Sequence, residues 1–176
     1  SRQSRLWQVN IKSGEHRPFI SDDVNLSQAT LSPNGKYIAY TKAVKGRAQL
    51  HLYYVDSKQS VRLTNLSETP RQITWSNDSK TLAFTLFTPE KQKPLFTGMP
   101  AKPKGAKWAE TAKYIDSTQY RGDGRGYLRE GYNQIYVLPV EGGTPRQLTS
   151  GKFPSGGTLS FSPDNDWIYF ATPHRK

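Results

Sequence analysis

The chain has no cysteine, which excludes disulfides, thiolate metal sites and a cysteine nucleophile but does not fix the compartment. No apolar run approaches the roughly 20 residues of a membrane-spanning helix, and no signal-peptide core is visible. Histidine occurs only at His16, His51 and His174. These positions do not have metal-ligand spacing, so surface or packing roles are expected. Acidic residues are also scarce, with 14 Asp and Glu against 25 Lys and Arg, a net charge of +11. The excess is spread over the chain, in ratios of 12 to 6 for residues 1–87, 9 to 5 for 88–131 and 4 to 3 for 132–176. A nucleic-acid footprint clusters its charge on one face. This distribution instead describes a basic, solvated surface with weak attraction for anionic peptides or polymers.

What the chain does have is a sentence written three times. Ser32-Pro33-Asn34-Gly35-Lys36-Tyr37-Ile38-Ala39-Tyr40-Thr41 recurs as Ser76-Asn77-Asp78-Ser79-Lys80-Thr81-Leu82-Ala83-Phe84-Thr85. It recurs again as Ser162-Pro163-Asp164-Asn165-Asp166-Trp167-Ile168-Tyr169-Phe170-Ala171. Pro33 and Pro163 pre-set φ for a tight turn, the Asn, Asp and Gly after them tolerate the reversal, and the aromatic and β-branched run that follows reads as a strand buried on both faces. A second motif repeats in register with the first. Leu6–Ile11, Leu50–Val55 and Ile135–Val140 each precede a turn and a shorter strand, Arg17–Ile20, Val61–Thr64 and Arg146–Thr149. The period from Leu6 to Leu50 is 44 residues, within the span of about 40–50 residues of a four-stranded propeller blade.

Taken in order, residues 1–5 read as a frayed end and Leu6–Ile20 as the outer pair of an incomplete blade. Strands at 26–31, 37–41, 49–55 and 60–64 form one complete blade. Strands at 71–75, 81–87, 134–140 and 145–149 form a second, and 157–161 with 167–172 open a third. The register breaks once, because Leu50 to Ile135 is 85 residues. Residues 88–131 therefore read as an insertion inside the second complete blade. It carries Pro89, Pro94, Pro100 and Pro103 among five lysines, which favours an extended excursion. Trp108–Tyr114 suits a helical turn or two. The predicted fold class is all-β, a partial β-propeller of two complete four-stranded blades flanked by two half-blades. Such a row leaves an edge at each end. Closure then needs the rest of a parent chain or another molecule. The start at Ser1 without Met, and the end just after an unpartnered strand, read as a fragment of a longer protein.

These repeats, with the Leu/Ile-Tyr-Val strand, Glu141-Gly142-Gly143-Thr144-Pro145-Arg146-Gln147-Leu148-Thr149 and Tyr120-Arg121-Gly122-Asp123-Gly124-Arg125-Gly126-Tyr127, resemble the N-terminal propeller of the prolyl oligopeptidase family of serine peptidases. The similarity is to the acylaminoacyl-peptidase-like or dipeptidyl-aminopeptidase-like branch, and it covers nearly the whole chain. The Ser-Pro-Asp/Asn-Gly repeat alone also resembles TolB-like propellers. The resemblance implies a bacterial serine hydrolase with a C-terminal α/β-hydrolase domain, over whose active site the propeller admits only short peptides. The nucleophile elbow Gly-x-Ser-x-Gly is absent, since Phe153-Pro154-Ser155-Gly156-Gly157 lacks the first glycine. The chain alone is therefore expected to be inactive.

The candidate substrate contacts are Tyr120, Arg121, Asp123, Arg125 and Tyr127. In an insertion beside a hydrolase cleft, Arg121 or Arg125 would grip a peptide carboxylate through paired hydrogen bonds. The competing reading makes the same residues an anchor of the insertion on the propeller rim. Asp116 and Asp123 supply too few oxygens for calcium, and Gly122, Gly124 and Gly126 lack the strand-to-helix context of a phosphate loop. A hairpin turn is the reading retained. No cofactor and no metal are expected. The expected partners are the parent's hydrolase domain, short peptides and a second copy of the chain through exposed blade edges. Membrane and nucleic acid are disfavoured, and the compartment stays open with the cytoplasm preferred to the periplasm. The alternative function is a TolB-like propeller that binds a protein or peptide without catalysis.

Overall fold

The computed structural model describes residues 4–20, 25–90, 105, 121–122, 126–127, 130–152 and 154–172. Every regular element among them is a β-strand. Two compact units emerge, one of residues 1–88 with 132–176 and one of residues 89–131.

The first unit is a row of four antiparallel sheets. β1 (Trp7–Val9) pairs with β2 (His16–Pro18). β3 (Leu26–Leu31), β4 (Tyr37–Val44), β5 (Arg47–Tyr54) and β6 (Gln59–Arg62) form a four-stranded sheet in chain order. β7 (Arg71–Trp75), β8 (Thr81–Pro89), β11 (Gly131–Pro139) and β12 (Arg146–Gln147) form the second such sheet. β13 (Gly156–Phe161) and β14 (Ile168–Ala171) make the last pair. The row is the expected one: two complete blades between two half-blades, not closed into a ring. Ser4, expected to fray, is instead held, since its carbonyl accepts the Leu26 N–H at 3.3 Å and its N–H reaches Asn25 Oδ1 at 3.2 Å.

Each repeated turn is built identically, and the sequence shows why. The Ser32 hydroxyl donates to Asn34 Oδ1 and accepts the Tyr37 N–H, while Asn34 Oδ1 also accepts the Lys36 N–H. Ser76 with Asp78 and Ser162 with Asp164 repeat this pattern. The fourth turn residue must take positive φ. It does so as Gly35 (72°), Ser79 (61°) and Asn165 (66°), of which glycine pays least for that conformation.

The sheets stack face to face through apolar clusters. Ile20, Leu26, Ile38, Tyr40 and Tyr53 join the first half-blade to the first full blade. Ala39, Leu52, Trp75 and Leu82, with Leu50, Phe84, Leu86 and Leu138, join the two full blades. Ala83, Ile135, Val137 and Leu159 carry the row on to the last pair. Burying a leucine such as Leu50 or Leu52 contributes about 1.5–3 kcal/mol, so these four clusters, spread over three junctions, hold the row together.

A second recurring device closes each full blade. Gln49 Oε1 accepts from the Thr64 hydroxyl (3.0 Å) and the Leu66 N–H, and Thr64 Oγ1 accepts the Leu50 N–H. Gln134 and Thr149 repeat the clamp around the Ile135 N–H.

Candidate functional site

Successive sheets meet through their leading strands, β3 against β7 and β7 against β13, so these strands are the inner ones of each blade. Each carries a bulge near its start, at 27–30, 71–74 and 156–160. The bulge turns one residue into positive φ: Gln28 (56°), Gln72 (54°) and Gly157 (77°). A β-bulge re-aims side chains and bends its strand, and here the side chains decide what lies between blades.

At the first junction Gln28 spans the gap, its Nε2 donating to the Pro70 carbonyl and its Oε1 accepting the Gln72 N–H. At the second junction that bridge is missing. The Gln72 amide oxygen accepts the Thr85 hydroxyl within its own blade, and the residue facing it from β13 is Gly157, which has no side chain. The result is a cleft of about 340 Å³ lined by Gln72, Ile73 and Thr74 on one wall and Gly157, Thr158 and Leu159 on the other. Its lining offers hydrogen-bonding groups and short apolar side chains, and none of these six residues is ionisable. Such a surface can accept an extended polar segment; it holds no acid, base or nucleophile pair.

Both described histidines are committed to packing. His51 is buried, stacked on Tyr40 at 5.4 Å, with Nδ1 bonded to the Gln49 carbonyl. Desolvation, aided by the charges of Lys42 and Arg62, pulls its pKa below the usual histidine value. His16 lies against the Trp7 ring. Among the described residues no group of three or more His, Cys, Asp or Glu forms a metal cage. Asp78 and Asp164 titrate below the usual carboxylate value, chiefly because the Ser76 and Ser162 hydroxyls donate to their charged forms.

The five substrate-contact candidates fall on the second unit. Arg121 lies in β9 (Arg121–Gly122) and Tyr127 in β10 (Gly126–Tyr127), which pair antiparallel with Tyr127 opposite Arg121 and Gly126 opposite Gly122. The backbone therefore brings Arg121 and Tyr127 to facing positions of one hairpin. Tyr120, Asp123 and Arg125 lie outside the described residues, as do His174 and the expected helical turn at 108–114. Gln28 with Gln72 and Gln49 with Gln134 match no functional motif in the sequence. The signal was available, since each pair recurs at a repeat offset, 44 and 85 residues.

A row of antiparallel sheets, two of them complete four-stranded blades, with a cleft between two inner strands defines an open β-propeller region. A family model described as the dipeptidyl peptidase IV N-terminal region matches residues 106–175. The uncharacterized peptidase YuxL of Bacillus subtilis is 24% identical over 172 residues, 97% of this chain and 25% of the relative. The chain thus spans a quarter of that relative's length. Pyrococcus horikoshii acylaminoacyl peptidase shares the fold with a TM-score of 0.61 at 19% identity, over 96% of this chain and 23% of that one. TolB from Acinetobacter baumannii does so with a TM-score of 0.58 at 17% identity, over 94% and 31%. Together these matches show the fold of a β-propeller region, with residues 106–175 similar to the dipeptidyl peptidase IV N-terminal region.

Proposed function

We propose that this chain is a non-catalytic propeller segment of a serine exopeptidase or oligopeptidase, similar to the acylaminoacyl peptidases, and that it gates the access of peptides to an α/β-hydrolase active site. The observation that carries this reading is the match of residues 106–175 to the dipeptidyl peptidase IV N-terminal region. It is supported by the inner-strand cleft, whose lining suits an uncharged peptide backbone and offers no reactive pair. Ser-His-Asp chemistry would come from a domain outside these 176 residues. Arg121 and Arg125 would contribute by engaging a peptide carboxylate.

The test is fluorophosphonate labelling of the complete gene product, together with its intact mass. A labelled protein longer than this chain is the expected result. In that protein Arg121→Ala or Arg125→Ala should raise KM about tenfold at unchanged kcat, the loss of roughly one charged hydrogen bond. A complete product that resists labelling sinks the peptidase reading. The likeness to TolB favours a second reading, a propeller that binds a protein or peptide without catalysis. An unlabelled product that retains a stoichiometric protein partner would establish that one instead.

A further inference from the structure

The first junction between blades holds a template for what the second one lacks. There the Gln28 carboxamide donates from Nε2 to the Pro70 carbonyl at 3.1 Å and accepts the Gln72 N–H on Oε1 at 2.8 Å. Those two backbone groups flank Arg71. The carboxamide therefore makes the pair of bonds that one residue of a parallel strand would make with the edge of β7. An amide fills this junction, and it is the chain's own.

At the second junction the amide is withheld. Ser27 and Thr41 bond through their hydroxyls at 2.7 Å, which leaves Gln28 to cross. Arg71 stands in the place of Ser27 and has no hydroxyl to offer. The Thr85 hydroxyl donates to Gln72 Oε1 instead, at 3.1 Å, and draws that side chain back. On the facing wall Gly157 takes the place and the positive φ of Gln72. The bulge there is also one residue longer, Gly156 to Ser160 against Ser27 to Thr30 and Arg71 to Thr74. The cleft of about 340 Å³ is the consequence. Both of its walls are leading strands. The same place between the two complete blades is made by Gln28, Pro70 and Gln72 of the leading edges. A blade's third and fourth strands lie beyond its second, so strands that follow β14 in its blade stand away from the cleft.

The lining selects the occupant. Gln72 holds Thr85 through its oxygen, which leaves the Nε2 hydrogens for a ligand. Thr74 and Thr158 add hydroxyls, and Ile73 and Leu159 add apolar surface. None of the six residues is charged, so an entering carboxylate or ammonium would lose water without gaining a counter-ion. A neutral carboxamide brings one acceptor and two donors. Gly157 is exposed, and the missing Cβ lets a ligand come close to the backbone.

We propose that the cleft between β7 and β13 binds an extended, uncharged peptide segment through a glutamine or asparagine side chain, whose carboxamide sits on Gly157 as the Gln28 carboxamide sits on Gln72. The carboxamide oxygen accepts the Gly157 N–H, and its NH2 group donates to the threonine hydroxyls. The aliphatic parts of the segment lie on Ile73 and Leu159. This deepens the reading of the chain as a filter for peptides and rests on it for the class of ligand, but not for any catalysis.

The test uses the complete gene product after fluorophosphonate treatment, so that no probe is hydrolysed or held at a reactive serine, and reads fluorescence anisotropy. The probe is a dye-labelled, amidated peptide of sequence Ser-Gln-Ala-Thr, that of residues 27–30. The comparison is the same peptide with Glu in place of Gln. The Gln peptide should bind saturably and the Glu peptide at least about tenfold more weakly, because a charge replaces the hydrogen-bond donor. Attraction to the +11 charge of the chain would order the two the other way. Thr158→Lys, at an exposed position, sets a bulky charge in the cleft. It should raise Kd for the Gln peptide about tenfold at an unchanged melting temperature. A Glu peptide that binds as tightly as the Gln peptide overturns the proposal, as does a Gln peptide that never saturates. So does a Thr158→Lys protein of native melting temperature and unchanged affinity. The two readings fail separately. A product that resists fluorophosphonate yet binds the Gln peptide loses the peptidase reading and keeps the cleft, and a labelled product that ignores the Gln peptide does the reverse.

Discussion

Thr64 shows how one hydroxyl can hold a blade shut. It accepts the Leu50 N–H and donates to Gln49 Oε1, and both Thr64 and Gln49 are buried. Thr64→Val keeps the shape and deletes the bonds, leaving a buried amide hydrogen without its partner. We expect a loss of about 1–3 kcal/mol in urea denaturation. Thr149→Val, at the equivalent but half-buried position, should cost less, because water can reach the freed groups. Equal losses at both sites would show that burial does not set the cost. The Leu-Thr pair of the repeat was visible in the sequence, but its purpose was not. A glutamine fifteen residues upstream of a threonine, Gln49 to Thr64 and Gln134 to Thr149, carries no meaning until the third and fourth strands are paired.

At the scale of elements, the strands follow from local chemistry and the bulges do not. The turn-strand sentence predicted β4, β8 and β14 because Pro, Asn, Asp and Gly bias the backbone within a few residues of themselves. Positive φ at Gln28 and Gln72 has no such signature. A glutamine in that conformation is strained. At Gln28 the strain is offset by hydrogen bonds to the next blade, and at Gln72 by the Thr85 hydroxyl. At Gly157 no side chain is available, and a Cβ there would stand 3.2 Å from Ala171 Cβ. Gly157→Ala therefore combines unfavourable φ with a tight contact and should destabilise by about 1–2 kcal/mol. The neighbouring Gly156, with ordinary φ and open space around its Cβ position, is the control. A loss at Gly156→Ala as large as at Gly157→Ala would defeat the strain argument.

Across the whole row, adjacent blades are tied through their turns as well as their cores. Asn34 donates its N–H to Ser79 Oγ, and Asn77 gives its N–H to Asn165 Oδ1 and its side-chain amide to the Ser162 carbonyl. Asn77 stands where the other two copies have Pro33 and Pro163. Asn77→Pro would fit the turn and stabilise it by about 0.4–1 kcal/mol through the unfolded chain, but it removes two bonds of about 0.5–1.5 kcal/mol each. The bonds outweigh the stiffening, so the melting temperature should fall. A rise would mean that blade-to-blade ties in this exposed turn contribute nothing.

The two complete blades, their order and the half-blade on either side are all legible in the repeats of the chain. Those follow from periodicity and turn residues, which act over a few neighbours and survive copying from one repeat to the next. The tertiary structure alone decided which junction is bridged and which is open. Gln28 and Gln72 hold equivalent places in the repeat and both take positive φ, yet one reaches across to the next blade and the other turns back on Thr85. What separates them is the facing residue, Gln72 in one case and Gly157 in the other. The identity of a facing residue is a property of packed blades, set across a gap that no local pattern along the chain records.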